Sequence, residues 1–192
     1  MNKWKVAFFA ITGLFIILIT VIVVWATSPV EEDPIPAPDN NVAQTDSILL
    51  VETTADDFEK LAMKYLADSL NKSTLPVDFV IGENIVLESE LTVFGVTVPF
   101  SMEFDPIVNE DGNIRMKQTS MNVGKLNIPP ITVLKLLSDS VEFPSWVIVR
   151  PNEEEIFVDL SRLRLYSGSK VRAKEIDLKN DRILLEIIVP NK

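Results

Sequence analysis

The chain contains no cysteine and no histidine among its 192 residues. Without cysteine there is no disulfide, no thiol nucleophile and no lipid attached through a thioether; without histidine the usual imidazole base is missing as well. Together the two absences remove the commonest ligands of transition metals. Much catalytic chemistry is therefore closed, and no catalytic residue, metal site or cofactor is expected. Positive charge is also scarce, with 18 Lys and Arg against 28 Asp and Glu. That shortage argues against nucleic acid and against docking on anionic lipid head groups, both of which need a basic patch.

What the chain does have is apolar mass, at 47% of residues, and its first block is continuous. From Val6 to Thr27, VAFFAITGLFIILITVIVVWAT, 22 residues pass without a charge. At about 1.5 Å per residue such a helix reaches roughly 33 Å, enough for a hydrocarbon core of about 30 Å. A cleaved signal peptide has a shorter apolar run of about 7–15 residues before a small-x-small cleavage site, and no clean site follows here. One membrane span over 6–27 is expected, with Trp25 at an interface. Lys3 and Lys5 precede the run, and Glu31, Glu32 and Asp33 follow it. Residues 1–5 are thus expected in the cytoplasm and the rest of the chain outside the cell. The outer part holds 16 basic residues against 28 acidic ones, a formal charge of −12 that keeps an exposed domain soluble.

Residues 28–46, SPVEEDPIPAPDNNVAQTD, carry four prolines and no apolar periodicity. They read as a spacer, extended through PIPAP, that stands the following domain off the bilayer. Residues 47–192 read as one extracytoplasmic α+β domain. Thr54-Ala-Asp-Asp57 resembles a capping box, and Phe58, Leu61, Ala62, Tyr65, Leu66 and Leu70 follow at helical spacing, which predicts an amphipathic helix of about sixteen residues. Strands are expected over 77–81, 85–104, 114–123, 146–150, 155–160, 171–178 and 182–189, with a short helix over 130–138. Short turns between neighbouring strands make the sheet antiparallel.

The longest of these segments changes parity. Its apolar residues sit on odd positions up to Val93 (Ile85, Leu87, Leu91, Val93) and on even ones from Val96 onward (Val96, Val98, Phe100, Met102, Phe104). A straight strand over 85–104 would run roughly 66 Å at about 3.3 Å per residue, too long for a domain with a radius of gyration near about 15 Å. A bulge at Phe94-Gly95 is the expected remedy, because one extra residue bends the strand and returns its apolar side chains to one face. The fold expected is an N-terminal transmembrane helix, then a long curved antiparallel sheet packed around an amphipathic helix.

The anchor, the Pro-rich spacer, the helix DDFEKLAMKYL, the strand ESELTVFGVTVPFSMEFDP and the closing hairpin KEIDLKNDRILLEI together resemble the YpmS-like family of Firmicute single-pass membrane proteins. The resemblance spans nearly the whole chain. It implies topology and fold and, the family being a domain of unknown function, transfers no catalytic residue. The architecture is also similar in outline to tubular lipid-binding domains, in which long curved strands wrap a helix and acyl chains lie between. Two short helices offer about ten large apolar side chains to cover a long curved sheet, and an uncovered apolar trough calls for something to fill it.

The expected site is accordingly an apolar groove lined by Val96, Val98, Phe100, Met102 and Phe104, with Phe58 and Leu61 from the helix and Ile187 from the last strand. Its expected occupant is a lipid or other amphiphile, held without catalysis. The alternative is an envelope scaffold that binds another envelope protein through a sheet edge or its acidic face. A third reading, an envelope hydrolase, rests on Ser69-Leu-Asn-Lys72. No S-D-N or K-T-G partner follows that motif, and it falls at a helix end. Glu88 and Glu90 read as the polar face of a half-exposed sheet, and Glu153-Glu154-Glu155 as a solvated hairpin tip.

Overall fold

In the computed structural model a single uninterrupted helix, α1, occupies Lys3–Thr27. The structure describes residues 3–30, 32, 34–37, 46–93, 96–124, 127–163, 165 and 168–191, and only the backbone of 25–27, 91, 93 and 96. The chain divides into two compact units, Met1–Glu31 and Glu32–Lys192. Within the first, Lys3–Val24 is long and apolar enough to cross a membrane. Its large side chains, Phe8, Phe9, Leu14 and Ile17 among them, are exposed around the helix, an arrangement that fits a single-pass membrane anchor. The hydroxyl of Thr20 donates to the Ile16 carbonyl at 2.9 Å, which satisfies it inside the helix. The side chain of Trp25, expected at an interface, lies outside the described residues.

The second unit contains β1 (Ser47–Thr53), α2 (Ala55–Leu70), β2 (Val77–Ile81), β3 (Ile85–Val93), β4 (Val96–Val108), β5 (Ile114–Asn122), α3 (Pro130–Ser140), β6 (Val147–Arg150), β7 (Glu155–Val158), β8 (Lys170–Asp177) and β9 (Arg182–Val189). Six strands form one curled antiparallel sheet in the order β2-β3-β4-β5-β7-β6, and three form a second in the order β1-β9-β8. Strand β1 was not among the expected strands, because Ile48, Leu49, Leu50 and Val51 are adjacent apolar residues with no alternation to mark a strand.

The expected single strand over 85–104 is corrected to two. Strands β3 and β4 pair with each other, antiparallel, from Ile85↔Phe104 to Val93↔Val96. Residues 94 and 95, where the bulge was expected, lie outside the described residues; the register on either side makes β3 and β4 two paired strands. In that register each odd residue of β3 faces an even residue of β4, as Leu87 faces Met102. Directly paired residues share a face, so the parity change is what a two-residue hairpin writes into its sequence. The length problem disappears with it. A register shift between Glu103 and Phe104, where β4 meets β5, adds local bend and twist to the sheet.

Helix α2 begins as its sequence predicts. Thr54 Oγ1 accepts from the Asp57 amide at 3.3 Å, and Asp56 and Asp57 stand in the first turn. Two further contacts seat it: the Ala55 amide donates to Asp181 Oδ1 at 2.8 Å, and Glu59 Oε2 accepts from the Ile81 amide at 2.6 Å. The core gathers Leu87, Met102 and Phe104 from the large sheet, Val133, Leu134 and Leu137 from α3, and Ile156 from β7, all at most 1% exposed. The two sheets are joined at the turn after β4, where Gly112 accepts from the Ala173 amide at 2.8 Å and Asp111 O accepts from Arg172 Nε at 3.1 Å.

Candidate functional site

Under α2 the two sheets do not close on each other. They leave a cavity of about 150 Å³ whose wall is apolar. The helix contributes Phe58, Leu61, Ala62, Tyr65 and Leu66 to it; the large sheet adds Phe79, Ile81, Ile114, Met116, Ile156 and Val158; the small sheet adds Val171, Ile183, Leu185 and Ile187. Period-two alternation produces this lining. Ile114 and Met116 on β5 stand opposite Val158 and Ile156 on β7, and on β9 the odd residues 183, 185 and 187 face inward together. The helix is seated loosely over the space. Of its residues only Ala55 and Leu66 are buried, and Leu61 is 45% exposed although it lines the cavity.

Of the eight residues expected to line one groove, the seven whose side chains are described are divided among three places. Phe58, Leu61 and Ile187 line the cavity. Met102 and Phe104 are fully enclosed in the core, and Val98 is half-buried against it. Phe100 is buried and borders a second, shallower recess of about 900 Å³ between the C-terminal half of α2 and strands β2 to β4, which also meets Asp78, Glu88 and Glu90. The side chain of Val96 lies outside the described residues. Sequence reasoning passed over the lining from β5 and β7 and, on β9, found Ile187 but not Ile183 or Leu185. The signal was present in the alternation of 114/116, 156/158 and 183/185/187, but it does not tell which alternating strands face one space.

One polar cluster corrects an expectation. Glu153 and Glu154 are at the hairpin tip, but Glu155, expected to be solvated with them, has no exposed surface. Its Oε2 accepts from Arg115 Nε at 2.9 Å and Nη2 at 2.6 Å, and its Oε1 accepts from Arg150 Nη1 at 2.6 Å. The hydrogen bonds and charge of Glu155 hold the Arg115 guanidinium above its ordinary pKa. Arg150 also faces Glu32, at 3.5 Å from Nε to Oε2, and the Asn152 amide donates to Glu32 Oε1 at 2.7 Å. Part of the segment read as a free spacer is thus held on the domain. A second buried pair, Ser161 Oγ donating to Asp159 Oδ1 at 2.5 Å, has Arg162 Nε 3.1 Å from Asp159 Oδ2. The first cluster ties β5, β6 and β7 together, and the second holds the turn that follows β7. Ser69 closes the C-terminal end of α2, where its carbonyl accepts from the Lys72 amide.

The chain is 28% identical over 184 residues, 95% of each chain, to a Bacillus subtilis (strain 168) protein named "Uncharacterized protein YpmS". No solved structure matches it. The model of a family described as "Uncharacterized protein conserved in bacteria (DUF2140)" matches residues 2–189, and the chain belongs to that family.

Proposed function

We propose that this domain holds an acyl chain, or the apolar part of another amphiphile, in the cavity under α2, and that it does so without catalysing a reaction. The observation that supports this reading is the apolar cavity itself. A protein cavity of about 150 Å³ lined by Leu, Ile and Phe stays dry and accepts a benzene-sized guest. Left unfilled, its lining forgoes the dispersion contacts that a packed core makes. A bound hydrocarbon segment supplies them.

The space accepts a short run of methylenes, so a whole acyl chain enters only if a wall moves. Helix α2 is the wall that gives, because its apolar face is only partly covered. In this reading α1 is a single-pass anchor with Lys3 and Lys5 on the cytoplasmic side, and the domain samples lipid at the outer face of the same membrane. A second reading, an envelope interaction module, is favoured by the exposed apolar strand β1.

The test is lipid extraction. Residues 28–192 retain the whole second unit with its own core. Produced without detergent, they are expected to carry a co-purified lipid in native mass spectra and, once stripped, to take up a fluorescent fatty acid. A bare protein mass together with no uptake sinks the proposal.

A further inference from the structure

The two sheets present four edge strands, and three of them are protected. Strand β2 is packed by α2, which also takes up the Ile81 amide through Glu59, and it carries Asp78. Strand β6 lies against α3. Strand β8 delivers its Ala173 amide to Gly112 and bears Lys170, Arg172 and Lys174. Those are the ways in which proteins blunt an edge: cover, charge or early termination of pairing.

Strand β1 carries only one such device, the charge of Glu52 near its C-terminal end. Among the described residues it pairs on one side only, with β9, and its register there runs without a break from Ser47↔Val189 to Thr53↔Ile183. Its sequence, SILLVET, holds no proline, glycine or lysine. Ile48, Leu49 and Leu50 are 56%, 53% and 62% exposed. A regular seven-residue edge with three successive exposed aliphatic side chains is a template for another strand.

We infer that β1 pairs with β1 of a second copy of this chain, antiparallel about a twofold axis at Leu50, to give one continuous sheet in the order β8-β9-β1-β1-β9-β8. Three features select a second copy as the occupant. The pairing is self-complementary, since centring it on Leu50 sets Leu50 against Leu50 and Leu49 against Val51. The same register sets Glu52, the only charge in the strand, against Ile48 and keeps it away from its own copy. Copies of a chain whose first helix fits a membrane anchor also meet already confined to one bilayer, which removes part of the association cost of about 4–15 kcal/mol that free proteins meet. The net charge of the domain opposes the pairing weakly, because charges farther apart than about 8 Å are largely screened at physiological salt.

This pairing does not depend on the cavity being filled. Leu49 stands opposite Ile187 on the face that lines the cavity, so the joined sheet extends that apolar face from one copy toward the other.

The absence of cysteine makes the test direct. Residues facing each other across an antiparallel pair have Cα atoms about 4.5–5.5 Å apart, inside the range that a disulfide spans. Full-length Leu50→Cys, oxidised in the membranes of the cells that make it, is expected to give a reducible dimer in several-fold higher yield than Val80→Cys, a comparably exposed position on edge strand β2. In mild detergent the unsubstituted full chain is expected to have the mass of a dimer and Leu50→Lys that of a monomer, with an unchanged thermal transition within the monomer. A Leu50→Cys yield no greater than that of Val80→Cys overturns the inference. So does a dimer that survives Leu50→Lys, and a reducible band at another mass assigns the edge to a different protein.

Discussion

A carboxylate with no exposure to water persists only where cations and donors replace the water it has lost. Glu155 is such a residue, with Arg115 on one oxygen and Arg150 on the other. Glu155→Ala leaves two guanidinium groups without their shared anion and is expected to cost about 3–5 kcal/mol in urea unfolding. Glu153→Ala, at a side chain 50% exposed, is expected to stay within about 0.5 kcal/mol. Three identical letters in a row carry no sign of which one points inward; cross-strand partners forty and five residues away decide it. Asp177 gives a pH dependence. Its carboxyl accepts from the Asn180 side-chain amide at 2.7 Å and from the Asn180 backbone amide at 3.2 Å, and these bonds hold its pKa below the ordinary 3.8. A folded-state pKa that is depressed contributes stability in full above the unfolded value and loses it as pH falls through the folded one. The turn over 178–180 is therefore expected to keep its amide-exchange protection at Asn180 from neutral pH down to about pH 5 and to lose it progressively below about pH 4. Asp177→Asn should flatten that profile.

Among the elements, α2 was legible in its start and its length: capping threonine, acidic first turn and helical spacing over about sixteen residues agree with Ala55–Leu70. The sequence could not reveal how well the helix is covered, because coverage depends on where two separate sheets stop. Ala62 measures that coverage. In a filled core Ala62→Leu would overpack and cost about 1–3 kcal/mol. Facing the cavity, the added carbons have room, and at about 0.8 kcal/mol per buried CH₂ the variant is expected to gain as much as about 2 kcal/mol. Chemical unfolding of the stripped second unit separates the two outcomes by sign, and the same variant should take up less fluorescent fatty acid. The β3–β4 hairpin carries the opposite lesson. The parity change between Val93 and Val96 was visible, yet a bulge within one strand and a turn between two strands leave the same alternation. Only the pairing of Leu87 with Met102 distinguishes them.

For the whole molecule, composition was enough to separate an apolar N-terminal helix from one α+β domain. It was not enough to divide the strands between two sheets, since short turns say which strands are neighbours in the chain and nothing about β1 crossing to β9. The domain also reaches further back than its first strand. Glu32 accepts from the Asn152 amide and faces Arg150, so a fragment starting at Ser47 is expected to be less stable than one starting at Ser28 by about 1 kcal/mol, read as a lower midpoint in urea. What fastens one sheet to the other is smaller still. At Gly112 the backbone turns with φ +83°, and a Cβ there would stand 2.7 Å from Cβ of Arg172. Two layers of strands thus stay in step because a single methyl group is missing. Any side chain at that point would drive a wedge into the seam between the two sheets.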